Sequence, residues 1–220
     1  MISQTLKIEP FGIRAIIPAD DPKTHSDFQD WHENHQKYRW NQTKRLTKKL
    51  VDGTVSPEEW ADLFDGILLE GHSNAWYIGR VLGGSTGEFN EDDLIIGRGF
   101  KDVEADYLAG FLDDIQNGRY TSEAGELSER QILARARLYV GKMRGTINEA
   151  WVYASPDEAE WTWKLGGNEL HCADCPHLAE ILVGVLKSEL FTKPGAGDTP
   201  CLGHCLCFLE SLVADKKTVG

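Results

Sequence analysis

No cysteine precedes Cys172, and all five then crowd into the stretch that ends at Cys207. Long apolar runs are missing as well: nothing approaches the roughly 20 residues that a membrane-spanning helix needs. Positive charge is short, with 23 Lys and Arg against 35 Asp and Glu and a formal charge of −12. That balance disfavours a protein whose main work is gripping nucleic acid, since phosphate neutralisation needs a surplus of cations. The opening residues, "MISQTLKIEPFGIRAIIPADD", lack the basic start, apolar core and small-residue cleavage site of a secretory signal, so folding in a reducing cytoplasm is expected. Also absent are a phosphate-binding Gly-rich loop ending in Lys-Ser/Thr, a Gly-x-Ser-x-Gly elbow and a His-Glu-x-x-His pair. These absences argue against an enzyme. The composition, 41% apolar over 220 residues, is that of a globular protein able to bury a real core.

Helical spacing dominates what is present. Residues 1–25 read as an extended arm with room for an edge strand, because Pro10 and Pro18 would damage a central one. From about Ser26 to Val51, Phe28, Trp31, His35, Tyr38, Gln42, Leu46 and Leu50 fall near one stripe of a long helix that stops at Gly53. Ser56, Pro57 and Glu59 then form a helix start signal. Trp60, Leu63, Phe64, Ile67, Leu68, Gly71, Ala75, Ile78 and Leu82 carry one face of that second helix to Gly83, giving a long helical hairpin. "STGEFNEDD" reads as a polar, flexible connection. A third helix is expected from about Asp102 to Asn117, and a fourth from Ser128 toward Gly145, burying Ile132, Ala136, Tyr139 or Val140, and Met143. Arg130, Arg135, Arg137, Lys142 and Arg144 give the fourth a positive face, read as solvated surface. "NEAWVYA" and "AEWTWKLG", around Ser155-Pro156-Asp157-Glu158, read as two strands of a hairpin. The division expected is an arm at 1–25, an α-helical domain at 26–148, a β-rich module at 149–210 and a tail at 211–220, an α+β fold that is mainly helical.

The cysteines bear the chemistry. Cys172-x2-Cys175 can set two thiolates on one ion across a tight turn. Cys205-x-Cys207 achieves the same in extended chain, where residues i and i+2 face one side. Two such pairs complete a closed tetrahedral zinc site with Zn–S bonds of about 2.3 Å. Cys201, His204 and His171 are substitute donors, so Cys201, Cys205 and Cys207 compete for the last two places. A disulfide pairing of the same residues is disfavoured by the reducing compartment. A thioredoxin-like pair lacks its βαβ setting, and a zinc deaminase lacks its upstream His-x-Glu. With four protein ligands the zinc would be structural, its binding energy of roughly 10–16 kcal/mol counting as folding energy. A second metal candidate, His25, His32 and His35 with Asp27, Asp30 and Glu33, reads instead as a charged, solvated helix face.

"ARLYVGKMRGTINEAWVY", the Trp-rich strand, "HCADCPHLA", "KPGAGDTPC" and the closing "CLCFL" together resemble the C-terminal part of the Mu F-like minor head proteins of tailed bacteriophages. "VDGTVSPEEWADLFDGILLEGHSNAWYIGR" is similar to that family's α-helical portion, so the likeness covers roughly residues 26–210. In many relatives a histidine precedes the last cysteine pair and an arginine separates its members, where this chain has Cys201 and Leu206. The resemblance implies a virion structural role: a minor capsid, head morphogenesis component at the portal or head-tail connector, aiding assembly or DNA delivery. Its partners would be portal, major capsid or connector proteins, in several copies, with at most weak DNA contact and no membrane, and assembly in the host cytoplasm. The alternative of another class is a zinc-ribbon nucleic-acid-binding adaptor using Lys44, Arg45, Lys48 and Lys49 with Arg135, Arg137, Lys142 and Arg144. Net acidity, and the lack of Lys or Arg among the cysteines, count against it.

Overall fold

A computed structural model describes residues 4–8, 13–17, 25–166, 171–196, 199–200 and 207–212, with side chains for those between 30 and 211. The described residues form six α-helices and two small antiparallel sheets, so the chain is mainly helical with a minor β component. Strands β1 (Gln4–Ile8) and β2 (Ile13–Ile17) pair antiparallel, and β2 lies against the second helix.

The helical hairpin is built by local signals. Helix α1 (His25–Val51) ends at a turn where Gly53 takes φ +69°, a left-handed conformation that costs glycine nothing. Helix α2 (Pro57–Leu82) starts as its cap residue dictates, with Ser56 Oγ accepting from the Glu59 amide at 3.1 Å. Most of the expected α2 stripe is buried, Trp60, Phe64, Leu68, Ala75 and Ile78 included, whereas Leu63 faces solvent.

The stretch read as a flexible connection instead enters helix α3 (Glu91–Asp102), which has its own capping box at Asn90 and Asp93. Asp93, itself buried, also takes a bidentate pair from Arg80 of α2 at 2.6 and 2.7 Å, and this ties down the start of the helix. The helix expected from about Asp102 to Asn117 forms as α4 (Ala105–Gln116), and its first residues are instead an elbow that joins it to α3.

Helix α5 (Glu129–Ala154) begins after Ser128, as expected, though the Ser128 hydroxyl makes no cap bond. It does not stop near Gly145. It runs on through "NEAWVYA", so the first strand of the expected hairpin is helix and the division expected at 149 falls inside α5. Glycines on α2 supply the reason. A Cβ at Gly79 would meet the Ile147 carbonyl and Ala150, and one at Gly83 would meet Ala154, so α2 and α5 approach backbone to backbone and run parallel. The approach buries Ala150, Trp151 and Val152 as a helix face, which outweighs the strand preference of Trp, Val and Tyr. An aromatic nest completes the bundle: Trp60 stacks on Phe64 at 4.9 Å and meets Phe111 of α4 edge-on at 5.2 Å, while Phe111 stacks on Tyr139 of α5 at 5.9 Å.

The second expected strand does form, as β3 (Glu160–Lys164). Its partners come from further along the chain. It is the centre of a three-stranded sheet between β4 (Val185–Leu186) and β5 (Phe208–Leu212), with helix α6 (Asp174–Ile181) packed beside it. Trp161 and Trp163 are fully buried, and Trp161 meets Trp151 of α5 edge-on at 5.2 Å. One hydrophobic core thus runs from the helical bundle into the sheet, with Cys175 and Cys207 among its members.

Candidate functional site

The sequence between β3 and α6 delivers Cys172 to the approach of α6 and Cys175 into its first turn. Cys172 Sγ donates to Cys175 Sγ across 3.1 Å, a pair of thiols rather than a disulfide. Cys175 is buried and Cys172 half-buried. Cys207 lies immediately before β5 and is buried in the same core cluster. Pairing of β5 with β3 is what returns the end of the chain to the segment carrying the first cysteines. Cys201, Cys205 and His204 lie outside the described residues; His171 is half-buried. Among the described residues no group of three or more His, Cys, Asp or Glu side chains gathers closely enough to hold a metal ion.

The Cys172–Cys175 pair fits half of a zinc site. Zn–S bonds of about 2.3 Å place the sulfurs of a tetrahedron roughly 3.8 Å apart, less than 1 Å beyond their separation here. Two further donors would have to come from Cys207 and from the undescribed Cys201 and Cys205.

A clamp joins this segment to the bundle. Asn148 Nδ2 of α5 donates to the Pro194 carbonyl at 2.7 Å, and Lys193 pairs with Glu149 at 2.9 Å. Gly195, at φ +81°, lies so close to Gly145 that a Cβ on the latter would strike the Gly195 carbonyl. Glycine at 145 is therefore the residue that lets "KPGAG" lie flat on a helix, and it does not end one.

A second feature went unforeseen. His32, His35 and Arg39 of α1 point inward and are buried, so the solvated face expected for these histidines is a buried one; Asp30 and Glu33 alone of the described acids there face solvent. His35 Nε2 donates to the Gly71 carbonyl of α2 at 3.1 Å. Arg39, fully buried, reaches Glu70 at 2.8 Å and Gln42 at 3.0 Å, while its Nε and Nη2 and the His35 Nδ1 have no hydrogen-bond partner among the described residues. His72 of α2 shares a 2.7 Å hydrogen bond with Thr146 of α5. Arg144, read as part of a solvated face, is also buried.

Electrostatics follow from that burial. Desolvation, aided by Arg144, pushes His32 down to about 3; desolvation, aided by Lys142, does the same to His72. His35 is held well below its usual range by burial and then by Arg39 and His32. At the edge of the seam Glu104 is buried and pushed up to about 7, with Lys142 at 3.2 Å working against the shift. The histidines are thus neutral at pH 7. The spacing His32, His35, Arg39, Thr43, Thr47 held the signal for this inward face, since those positions recur at three or four residues like any buried stripe.

No protein-family model matches the chain, and neither does any curated protein or solved structure. No helix among the described residues is long and apolar enough to cross a membrane.

Proposed function

We propose that the chain is a structural protein of a tailed-phage virion, a minor head component at the portal or head-tail connector that aids assembly or DNA delivery through protein contacts. The reading comes from the ordered set "HCADCPHLA", "KPGAGDTPC" and "CLCFL". The observation that carries it is their placement: β5 returns Cys207 to the core cluster holding Cys175, and the Gly145–Gly195 contact fastens the intervening loop to α5. Cys172 and Cys175, with two of Cys201, Cys205 and Cys207, hold a structural zinc in this proposal. Such a zinc contributes folding energy and offers no open position to a substrate. The chain's own share is to bring the thiols together, to bury Cys175 and Cys207 and to hold the loop down through Asn148.

Two measurements test the proposal. Elemental analysis of protein purified without chelator should give about one zinc per chain, and fewer than about 0.2 would reject the metal. Cys172→Ser should then loosen the sheet and α6 while the bundle stays folded. Mass spectrometry of mature virions from the phage encoding the chain should find it at low copy, and its absence there would reject the virion role whatever the zinc content.

A further inference from the structure

Two surface patches stay largely open among the described residues. The first is a groove of about 540 Å³ between α1 and α5, where Trp40 and Leu133 form an apolar floor and Arg130 and Arg137 stand on the α5 rim. Lys37 and Lys44 lie one turn before and one turn after Trp40, so they flank it on the same face of α1. Both are exposed. None of these four cations makes an ion pair among the described residues, and Glu129 is the only carboxylate lining the groove. In a chain of net charge −12, a band of four unpaired cations around a tryptophan is the opposite of the surface average.

The second patch is its complement. At the elbow of α3 and α4, Ile95, Val103 and Tyr107 are 61%, 73% and 60% exposed. Asp92 lies one turn before Ile95, and Asp106 stands between Val103 and Tyr107 in the first turn of α4; both acids are exposed. Exposed acids therefore accompany the apolar side chains of this corner, although Arg98, one turn after Ile95, is exposed there too.

We propose that the α1–α5 groove binds the α3–α4 elbow of a second copy of this chain, with Val103 or Ile95 seated against Trp40 and Leu133 and the aspartates facing Arg130 and Arg137. Such a contact joins different surfaces of the two copies and so grows head to tail, into a closed ring or an open filament. A nucleic acid would use the same cations, but its phosphates have no use for the Leu133 floor.

The test uses the full chain. Light scattering of wild type at low salt should show mass rising with concentration past the dimer, and about 0.5 M salt should reverse it. Arg130→Glu with Arg137→Glu, and separately Val103→Lys with Asp106→Lys, should each raise the dissociation constant by about a hundredfold, so that each variant is monomeric. Lys37→Glu with Lys44→Glu serves should the α5 pair fail to fold, as judged by circular dichroism. Mixing the groove variant with the elbow variant leaves one intact groove and one intact elbow, so the mixture should form dimers and stop there. A wild type that stays monomeric at roughly 100 µM, or a mixture that stays monomeric, overturns the proposal. So does an Arg130-dependent complex between single-stranded DNA and a chain that never self-associates.

Discussion

Acidification from pH 7 to pH 5 should weaken the helical bundle through its buried histidines, and the size of the loss can be worked out. His32 and His72 sit at about 3 in the folded protein, against an ordinary value of 6.5. The unfolded chain therefore takes up protons first. Their stability contribution is complete above about pH 6.5 and is lost as the pH falls toward 3. Over the two units from 7 to 5, each histidine costs about 2 kcal/mol, or about 4 together. His35, depressed in the same direction, adds to the loss.

Glu104 works the other way. Its folded value, about 7, lies above the ordinary 4.5, so its contribution is greatest below pH 4.5 and fades as the pH rises through 7. Going down from 7 to 5 it returns about 2 kcal/mol. Wild type should thus lose at least about 2 kcal/mol net, His35 adding to it, seen in urea titrations as a midpoint lower by about 1 M or more at pH 5 for a slope near 2 kcal/mol/M. Glu104→Gln removes the offset and should deepen that drop by about 2 kcal/mol, while His72→Gln, which can keep a bond to Thr146, should shrink it by about 2 kcal/mol. Equal pH dependence in wild type and both variants would refute the account of these groups as the cause.

Removing Arg80 by Arg80→Met should cost about 3–5 kcal/mol, because Asp93 would be left buried with its charge unmatched, and should release α3 first in hydrogen exchange. Gly97→Ala would drive a Cβ into the backbone of Ser73 at 2.5 Å and should lower thermal stability by about 1–3 kcal/mol, whereas Gly66→Ala, which meets nothing, should raise it slightly. Asn148→Ala deprives the Pro194 carbonyl of its donor; a loss of about 1–3 kcal/mol is expected, with faster protease cleavage between residues 190 and 200 than elsewhere.

The Cys172–Cys175 pair was legible because cysteine spacing is a local property: Cys-x2-Cys makes a close pair of sulfurs from its own turn. The polar seam was not. His32 and His35 look like a solvated face when the only visible neighbours are Asp30 and Glu33. Their partners, Gly71 on α2 and Arg144 on α5, are far away in sequence, and a neutral histidine donating to a carbonyl leaves no mark in composition.

The sequence alone determined the helical hairpin and the class of the fold: Ser56 with Pro57 opens α2, Gly53 turns α1 into it, and the 3.6-residue stripes carry both. These depend on hydrogen bonds and steric limits within a few residues. Tertiary structure decided the rest. "NEAWVYA" became helix because Gly79 and Gly83 let α2 come close enough to bury it, and β3 took β4 and β5 as neighbours once that choice removed its expected partner. Burial free energy grows with contacts across the whole chain, and at Trp151 it exceeded the few tenths of a kcal/mol by which local preference favours a strand.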